Sequence, residues 1–266
     1  MRHFTVIGCT GLEAYLRDQI TAGSQNHYLV AVKDDRLIGM SAWRCEGEYL
    51  FLNHLFVLPS TQGRGVGTAL WSHGITHFQF RQPRYLALDA LDDNPKARSW
   101  YLALGMAVVG RKTLMKVPLF RPKSTTEGNW SSSFLEATDP DYARYGFSQF
   151  TLITEHAIYT IGRLGTSLFR ASACAILDDD TALNALHSLD KRRALLCIGT
   201  AQELESAAQH CGVVVGATES LVTPLDVVAD RVRERCAVLN NRQHRLAYSA
   251  RVKPFTMDES PWEYGG

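Results

Sequence analysis

The chain has 266 residues, 45% of them apolar and 21% charged, the composition of a globular protein with material for one large core or two modest ones. Its 28 basic and 27 acidic residues leave a formal charge of +1 with no long run of either sign, which argues against a nucleic-acid partner held by phosphate contacts. No stretch approaches the ~20 apolar residues that span a bilayer, and the N-terminal MRHFTVIGCT lacks the apolar core of a signal peptide, so no membrane partner and a cytoplasmic location are expected.

Residues 1–10 read as a short strand and 11–22 as a helix with Leu12, Tyr15, Leu16 and Ile20 on one face. YLVAV (28–32) and LIGMSAW (37–43) flank the turn-prone KDDR as a hairpin. GEYLFLNHLFVL (47–58) is a further strand, stopped by Pro59, which has no amide to give a ladder. A glycine-rich turn, QGRGVG (62–67), leads into a helix over 68–80, and YLALDAL (85–91) is a strand. The next helix is punctuated by Asn94 as N-cap, Pro95 at its first position and Gly105 just past its end. MAVVG and TLMKVPL (106–119) read as a closing pair of strands. The polar RPKSTTEGNWSSS marks a linker at 121–133 between a domain at 1–120 and another at 134–266.

The second half alternates again. Strands are expected at 150–161, 166–177, 193–199, 212–217 and 245–252, and helices at 181–189, 201–211 and 224–239, the last started by Thr223. No internal sequence repeat is visible. Asp178, Asp179 and Asp180 read as a loop and helix cap rather than a metal cluster. His73 and His77, four apart on a helix, have no nearby Glu or Cys to complete a ligand set, so no metal is expected. Cys9, Cys45, Cys174, Cys197, Cys211 and Cys236 contain no C-x-x-C pair and read as small apolar residues in a reducing compartment.

The segment with chemical content is the strand–QGRGVG–helix junction. Three glycines within five positions let the backbone turn tightly and present amides without side-chain interference. Those amides share their place with the positive end of the helix dipole, which makes an anion site suited to a diphosphate. A P-loop would require Lys-Ser/Thr after the last glycine, where this chain has Thr68 and Ala69. A dinucleotide-binding unit would start β-α-β, whereas three strands precede this turn.

LFVLPSTQGRGVGTAL (55–70) resembles the coenzyme A signature of the GNAT acyltransferase superfamily, Gln/Arg-x-x-Gly-x-Gly/Ala, with Gln62, Gly65 and Gly67 in place. NPKARSWYLALGM (94–106) resembles the second signature of that family through Asn94, Ala97, Trp100, Tyr101 and Gly105. The resemblance covers about residues 2–118. It implies an α/β (α+β) fold with a mixed, mostly antiparallel sheet flanked by helices, and it says nothing about the remainder, whose alternation of strands and helices reads as a second, smaller α/β domain for acceptor recognition or dimerisation.

By the same resemblance the cofactor site, for acetyl-CoA as acyl donor, comprises Leu55, Phe56 and Val57 along the pantetheine arm. Gln62, Gly63, Arg64, Gly65, Val66, Gly67 and Thr68 would lie around the diphosphate, with Asn94 nearby. Tyr101 would protonate the departing thiolate. Spacing by itself also places Tyr101 on an apolar helix face with Ala97, Trp100 and Leu104. A base is wanted for the acceptor amine, and His54 and Glu48 are the candidates.

The expected activity is transfer of an acetyl or short acyl group to a primary amine of a small molecule or protein. The alternatives are a non-catalytic acyl-CoA sensor and a toxin-like acetyltransferase of aminoacyl-tRNA. A homodimer is the default assembly. Family members usually place two helices between the first two strands, and here only residues 11–27 intervene. The acceptor side is therefore expected to be covered by the second domain or a partner, so that removing residues 125–266 would spare coenzyme A binding.

Overall fold

A computed structural model describes residues 8–22, 26–120, 128–134, 139–171, 173–241 and 251–254. Residues 1–7, 121–127 and 245–250, which hold most of the expected first strand and half of the expected linker, lie outside the described residues. The chain runs α1 (Leu12–Thr21), β1 (His27–Lys33), β2 (Arg36–Glu46), β3 (Tyr49–Val57), α2 (Val66–Phe78), β4 (Tyr85–Leu91), α3 (Pro95–Ala103) and β5 (Ala107–Pro118). It continues with β6 (Trp130–Ser132), α4 (Pro140–Tyr145), β7 (Phe147–Thr154), β8 (Ile158–Leu164), β9 (Leu168–Ala171) and α5 (Asp180–Leu189). The last elements are β10 (Ala194–Gly199), β11 (Val213–Pro224), α6 (Leu225–Asn241) and β12 (Arg251–Pro254).

Local chemistry accounts for most boundaries. Asp34 and Asp35 adopt φ of 49° and 56° in the β1–β2 turn, a conformation that Asp tolerates and that matches the twist of a hairpin. Asn94 caps α3 by accepting from the Ala97 amide at 3.1 Å, with Pro95 in the first turn and Gly105 at φ 87° beyond it.

Four expectations are corrected. Residues 106–119 form one strand rather than two, because Gly110 is absent from the left-handed conformations a tight turn would need. Conversely, 150–161 is split into β7 and β8 around Glu155 and His156. The helix expected at 201–211 is only a 3-10 turn over Glu205–His210, as suits a segment too short to offset helix nucleation. Thr223 does not cap α6; its hydroxyl accepts from the Ala107 amide at 2.8 Å and donates to the Gly105 carbonyl at 3.1 Å.

The chain divides into two compact units, and neither follows chain order. The first comprises Arg17–Ala90, Asn94–Gly110 and Ser220–Gly266; the second comprises Met1–Leu16, Leu91–Asp93 and Arg111–Glu219. In the first unit the sheet order is β12-β1-β2-β3-β4, antiparallel from β12 to β3 and parallel between β3 and β4. Its core sets Leu70, Trp71 and Phe78 of α2 against Leu50, Leu52, Leu86 and Leu88, and includes Leu221, Val228 and Val232 from the end of the chain. A β-carbon on Gly74 would lie 2.4 Å from the Trp43 ring, so only glycine lets α2 approach the sheet this closely.

The second unit has the order β5-β10-β9-β8-β7-β6, and its core gathers Leu152, Ile161, Phe169, Leu186 and Leu195. Its elements α4, β7, β8, β9, α5, β10 repeat the succession α1, β1, β2, β3, α2, β4. In both, two antiparallel pairs are followed by a helical crossover to a parallel strand. The repeat is one of topology, since no sequence repeat accompanies it. Among the described residues no helix is long and apolar enough to cross a membrane.

Candidate active site

The site begins with two irregularities in β3. On one side, β3 pairs with β2 as Ala42↔His54 and then Trp43↔Leu52, so Asn53 is an extra residue in the ladder. A bulge of this kind reverses the alternation of side chains beyond it. Leu55 and Val57 therefore pack with the core under α2, while His54 and Phe56 stack on each other across the opposite face at 5.9 Å. Arg44 and Asn26 hold the bulge by hydrogen bonds to the Asn53 side chain. On the other side, parallel pairing with β4 ends at Phe51↔Ala87. The strands part there, and among the described residues the β4-facing edge of residues 52–57 has no ladder partner. A sheet edge in this condition can pair with an extended amide-bearing ligand.

The open edge leads directly to the glycine-rich turn. Gly63 and Gly65 have φ of 74° and 84°, left-handed values that explain both glycines. Gly65 caps α2, whose first internal bond is from the Ala69 amide to the Gly65 carbonyl at 2.9 Å. Among the described residues no backbone carbonyl accepts from the amides of residues 63–68. The turn is braced from outside: Gln62 donates to the Val57 carbonyl at 3.1 Å and accepts from Lys96 of α3 at 2.8 Å. Gln62 thus ties β3 and α3 across the mouth of α2.

These groups line a cleft of about 420 Å³. Of the residues expected for the cofactor, Leu55, Val57, Gln62, Gly63, Gly65, Val66, Gly67, Thr68 and Asn94 line it, and Tyr101 joins them. The side chains of Phe56 and Arg64 are exposed and do not. Asn94 caps α3 and also forms part of the wall.

Tyr101 belongs both to the cleft and to the core. Ala97, Trp100 and Tyr101 fall on one face of α3 and line the cleft, and Tyr101 also packs against the core, stacked on Trp71 at 5.9 Å and 24°. Burial pushes its phenol up from 10.0 to about 12, which keeps the proton in place at working pH. Among the described residues no group hydrogen-bonds its hydroxyl.

The two candidate bases are not in the cleft. Glu48 precedes β3, at the end remote from the glycine-rich turn, and is ion-paired with Arg84 at 2.9 Å. His54 is half-buried on the opposite face of the sheet, where burial and, secondarily, Arg44 lower its pKa below 6.5. Sequence reading missed two wall residues altogether, Arg235 and Leu239 of α6. No sequence signal links α6 to a motif more than a hundred residues earlier.

The second unit offers a control for the anion site. Its crossover helix α5 occupies the topological place of α2, but its mouth is closed by Asp179. That carboxylate is 3% exposed and accepts from the Ala182 amide at 2.9 Å, Thr154 at 2.7 Å and Tyr159 at 3.1 Å. A carboxylate at this position occupies the amides and repels an anion. Gly65→Asp should transplant this condition to α2: Asp tolerates the left-handed cap conformation, so the variant stays folded while diphosphate affinity falls at least ~10²-fold. Calorimetric titration with coenzyme A measures it, and an unchanged affinity would place the anion elsewhere.

Residues 5–106 match the sequence model of the acetyltransferase (GNAT) family. Among solved structures the chain is similar to a tandem GNAT protein from the clavulanic acid biosynthesis pathway, with TM-score 0.56 and 10% identity over 76% of this chain and 84% of that one. It is also similar to a GCN5-related N-acetyltransferase from Sphaerobacter thermophilus, with TM-score 0.52 and 13% identity over 80% and 85% of the two chains. At these identities the likeness is one of fold. No curated protein matches the sequence. Residues 5–106, which hold the glycine-rich turn and both signatures, are thus similar in sequence to the acetyltransferase (GNAT) family.

Proposed function

We propose that the protein transfers an acetyl or short acyl group from acetyl-CoA to a primary amine of a small molecule or protein. The observation that carries this reading is the coincidence, in one cleft, of an unpaired strand edge, unengaged helix-mouth amides and a phenol with no hydrogen-bond partner among the described residues. The first suits the amides of a pantetheine arm, the second a diphosphate and the third a leaving thiolate. A pure acyl-CoA sensor would have no use for the third.

The thioester supplies an activated carbonyl carbon, and the amine nitrogen forms its bond there as the carbon–sulfur bond breaks. Tyr101 gives its proton to the departing sulfur; its desolvated phenol is a poor anion, so it holds that proton until thiolate charge develops nearby. Backbone groups of residues 52–57 align the thioester, so that encounter costs little entropy. The acceptor approaches from the face that carries His54, which removes the ammonium proton directly or through water. Its lowered pKa keeps the imidazole neutral and able to accept.

The reading is tested by following free-thiol release on mixing the protein with acetyl-CoA and a panel of primary amines, with product mass confirming N-acetylation. Absence of both coenzyme A binding and amine-dependent thiol release would refute it. The role of His54 has its own signature. With a folded pKa below 6.5, kcat/KM should rise with pH through that value and level off above it. His54→Gln should remove this acid limb and lower the plateau by roughly 10²-fold; an identical pH profile in the variant would exclude His54 as the base.

A further inference from the structure

The family match ends at residue 106, yet one wall of the donor cleft comes from α6, at the far end of the chain. Helix α6 lies antiparallel to α2. Ser72, Ile75 and Thr76 share a cleft with Leu225, Ala229 and Val232, whereas Gly65, Val66 and Thr68 share the donor cleft with Arg235 and Leu239. The last turns of α6 are thereby held beside the mouth of α2. Val228 and Val232, both buried, anchor the helix in the core.

The charges on α6 are unequally used. Arg231 is paired with Glu234 at 3.1 Å, Arg233 is paired with Asp230, and Asp226 accepts from the Val227 amide at 2.8 Å. Arg235 is the remaining charged side chain of the helix, exposed, on the cleft wall, and without an ion-pair partner among the described residues. The other cation of the wall, Lys96, is held by Gln62 at 2.8 Å. An uncommitted guanidinium beside a row of uncommitted amides is a phosphate clamp: the amides suit one phosphate group, and the planar fork of Arg suits a second.

We infer that Arg235 recognises a phosphate of the acyl carrier, so that α6 lets the protein select phosphorylated donors over truncated thioesters; this rests on the acyl-transfer reading above. Arg235 engages the phosphate in the bound complex and takes no part in the chemical step. Its loss therefore raises KM for the donor and leaves kcat in place.

The test compares wild-type protein with Arg235→Ala, Arg235→Lys and the control Arg231→Ala, measuring affinity for coenzyme A, 3′-dephospho-coenzyme A and pantetheine. Wild-type binding of coenzyme A reports on the acyl-transfer reading, and the variant-to-wild-type ratio reports on Arg235. Arg235→Ala should weaken coenzyme A about tenfold or more, with Arg235→Lys intermediate, Arg231→Ala unchanged, and pantetheine bound equally by all four proteins. If the loss vanishes with the dephospho compound, Arg235 contacts the 3′-phosphate; if it persists, the diphosphate. Equal affinity of Arg235→Ala and wild type for coenzyme A, or an equal loss towards pantetheine, overturns the inference. A wild-type protein that binds none of the three overturns it together with the reading beneath it.

Discussion

Truncation after residue 120 should leave a chain that neither folds cooperatively nor binds coenzyme A, although it retains both signatures. The core under α2 contains Leu221, Val228 and Val232, exposed 0%, 0% and 2%. Burial of each such side chain is worth about 1.5–3 kcal/mol, so their removal costs a sum comparable with the whole stability of a domain, about 5–15 kcal/mol. The truncation also strips Arg235 and Leu239 from the cleft wall and the partner strand β10 from residues 113–118 of β5. This reverses the outcome expected when the chain is read as two consecutive domains, where the first would keep its cofactor. Circular dichroism melts and coenzyme A titration of residues 1–120 decide between them. A cooperative melt with undiminished affinity would show that the end of the chain is dispensable to the donor site.

Tyr101→Phe should lower turnover by about 10²- to 10⁴-fold with donor KM and thermal stability nearly unchanged. The ring stacks on Trp71 and contacts Trp100 at 5.4 Å, contacts that phenylalanine keeps. Because no group among the described residues hydrogen-bonds the hydroxyl, its deletion orphans no buried partner. The pH dependence has a definite sign. Burial raises the phenol to about 12, so the proton-donating form persists across the neutral range, and any alkaline fall in rate near pH 8–9 must come from another group. Turnover within twofold of wild type would assign the proton to water or to another side chain.

Much of the cleft around the glycine-rich turn was legible because its information is local. A glycine needed at φ 84°, an Asn followed by Pro at a helix start and an i, i+3, i+4 set on α3 each depend on a few adjacent residues. The strands of the hairpin and the helices α2, α3 and α5 were readable for the same reason. The side of β3 on which His54 faces was not. Nothing in NHLFV marks Asn53 as the residue left over in the ladder, because a bulge is settled by how β2 and β3 register along their full length. Glu48 was drawn into the site by proximity in sequence, and strand geometry carries it to the opposite end of β3.

By itself, the sequence determined the local features of the cleft: a glycine-rich turn at a helix mouth, beside a strand stopped by Pro59, whatever the remainder of the chain does. Only the tertiary structure decided that residues 220–266 belong to the same compact unit as residues 17–90, that the second half repeats the topology of the first, and that α6 brings Arg235 to the cleft. The physical reason is that turns and caps are set by backbone torsions over four or five residues. The side on which a strand inserts, or a helix docks, is set by burial of apolar surface between segments that are distant in the chain. Leu221, Val228 and Val232 carry no local mark of the core they complete.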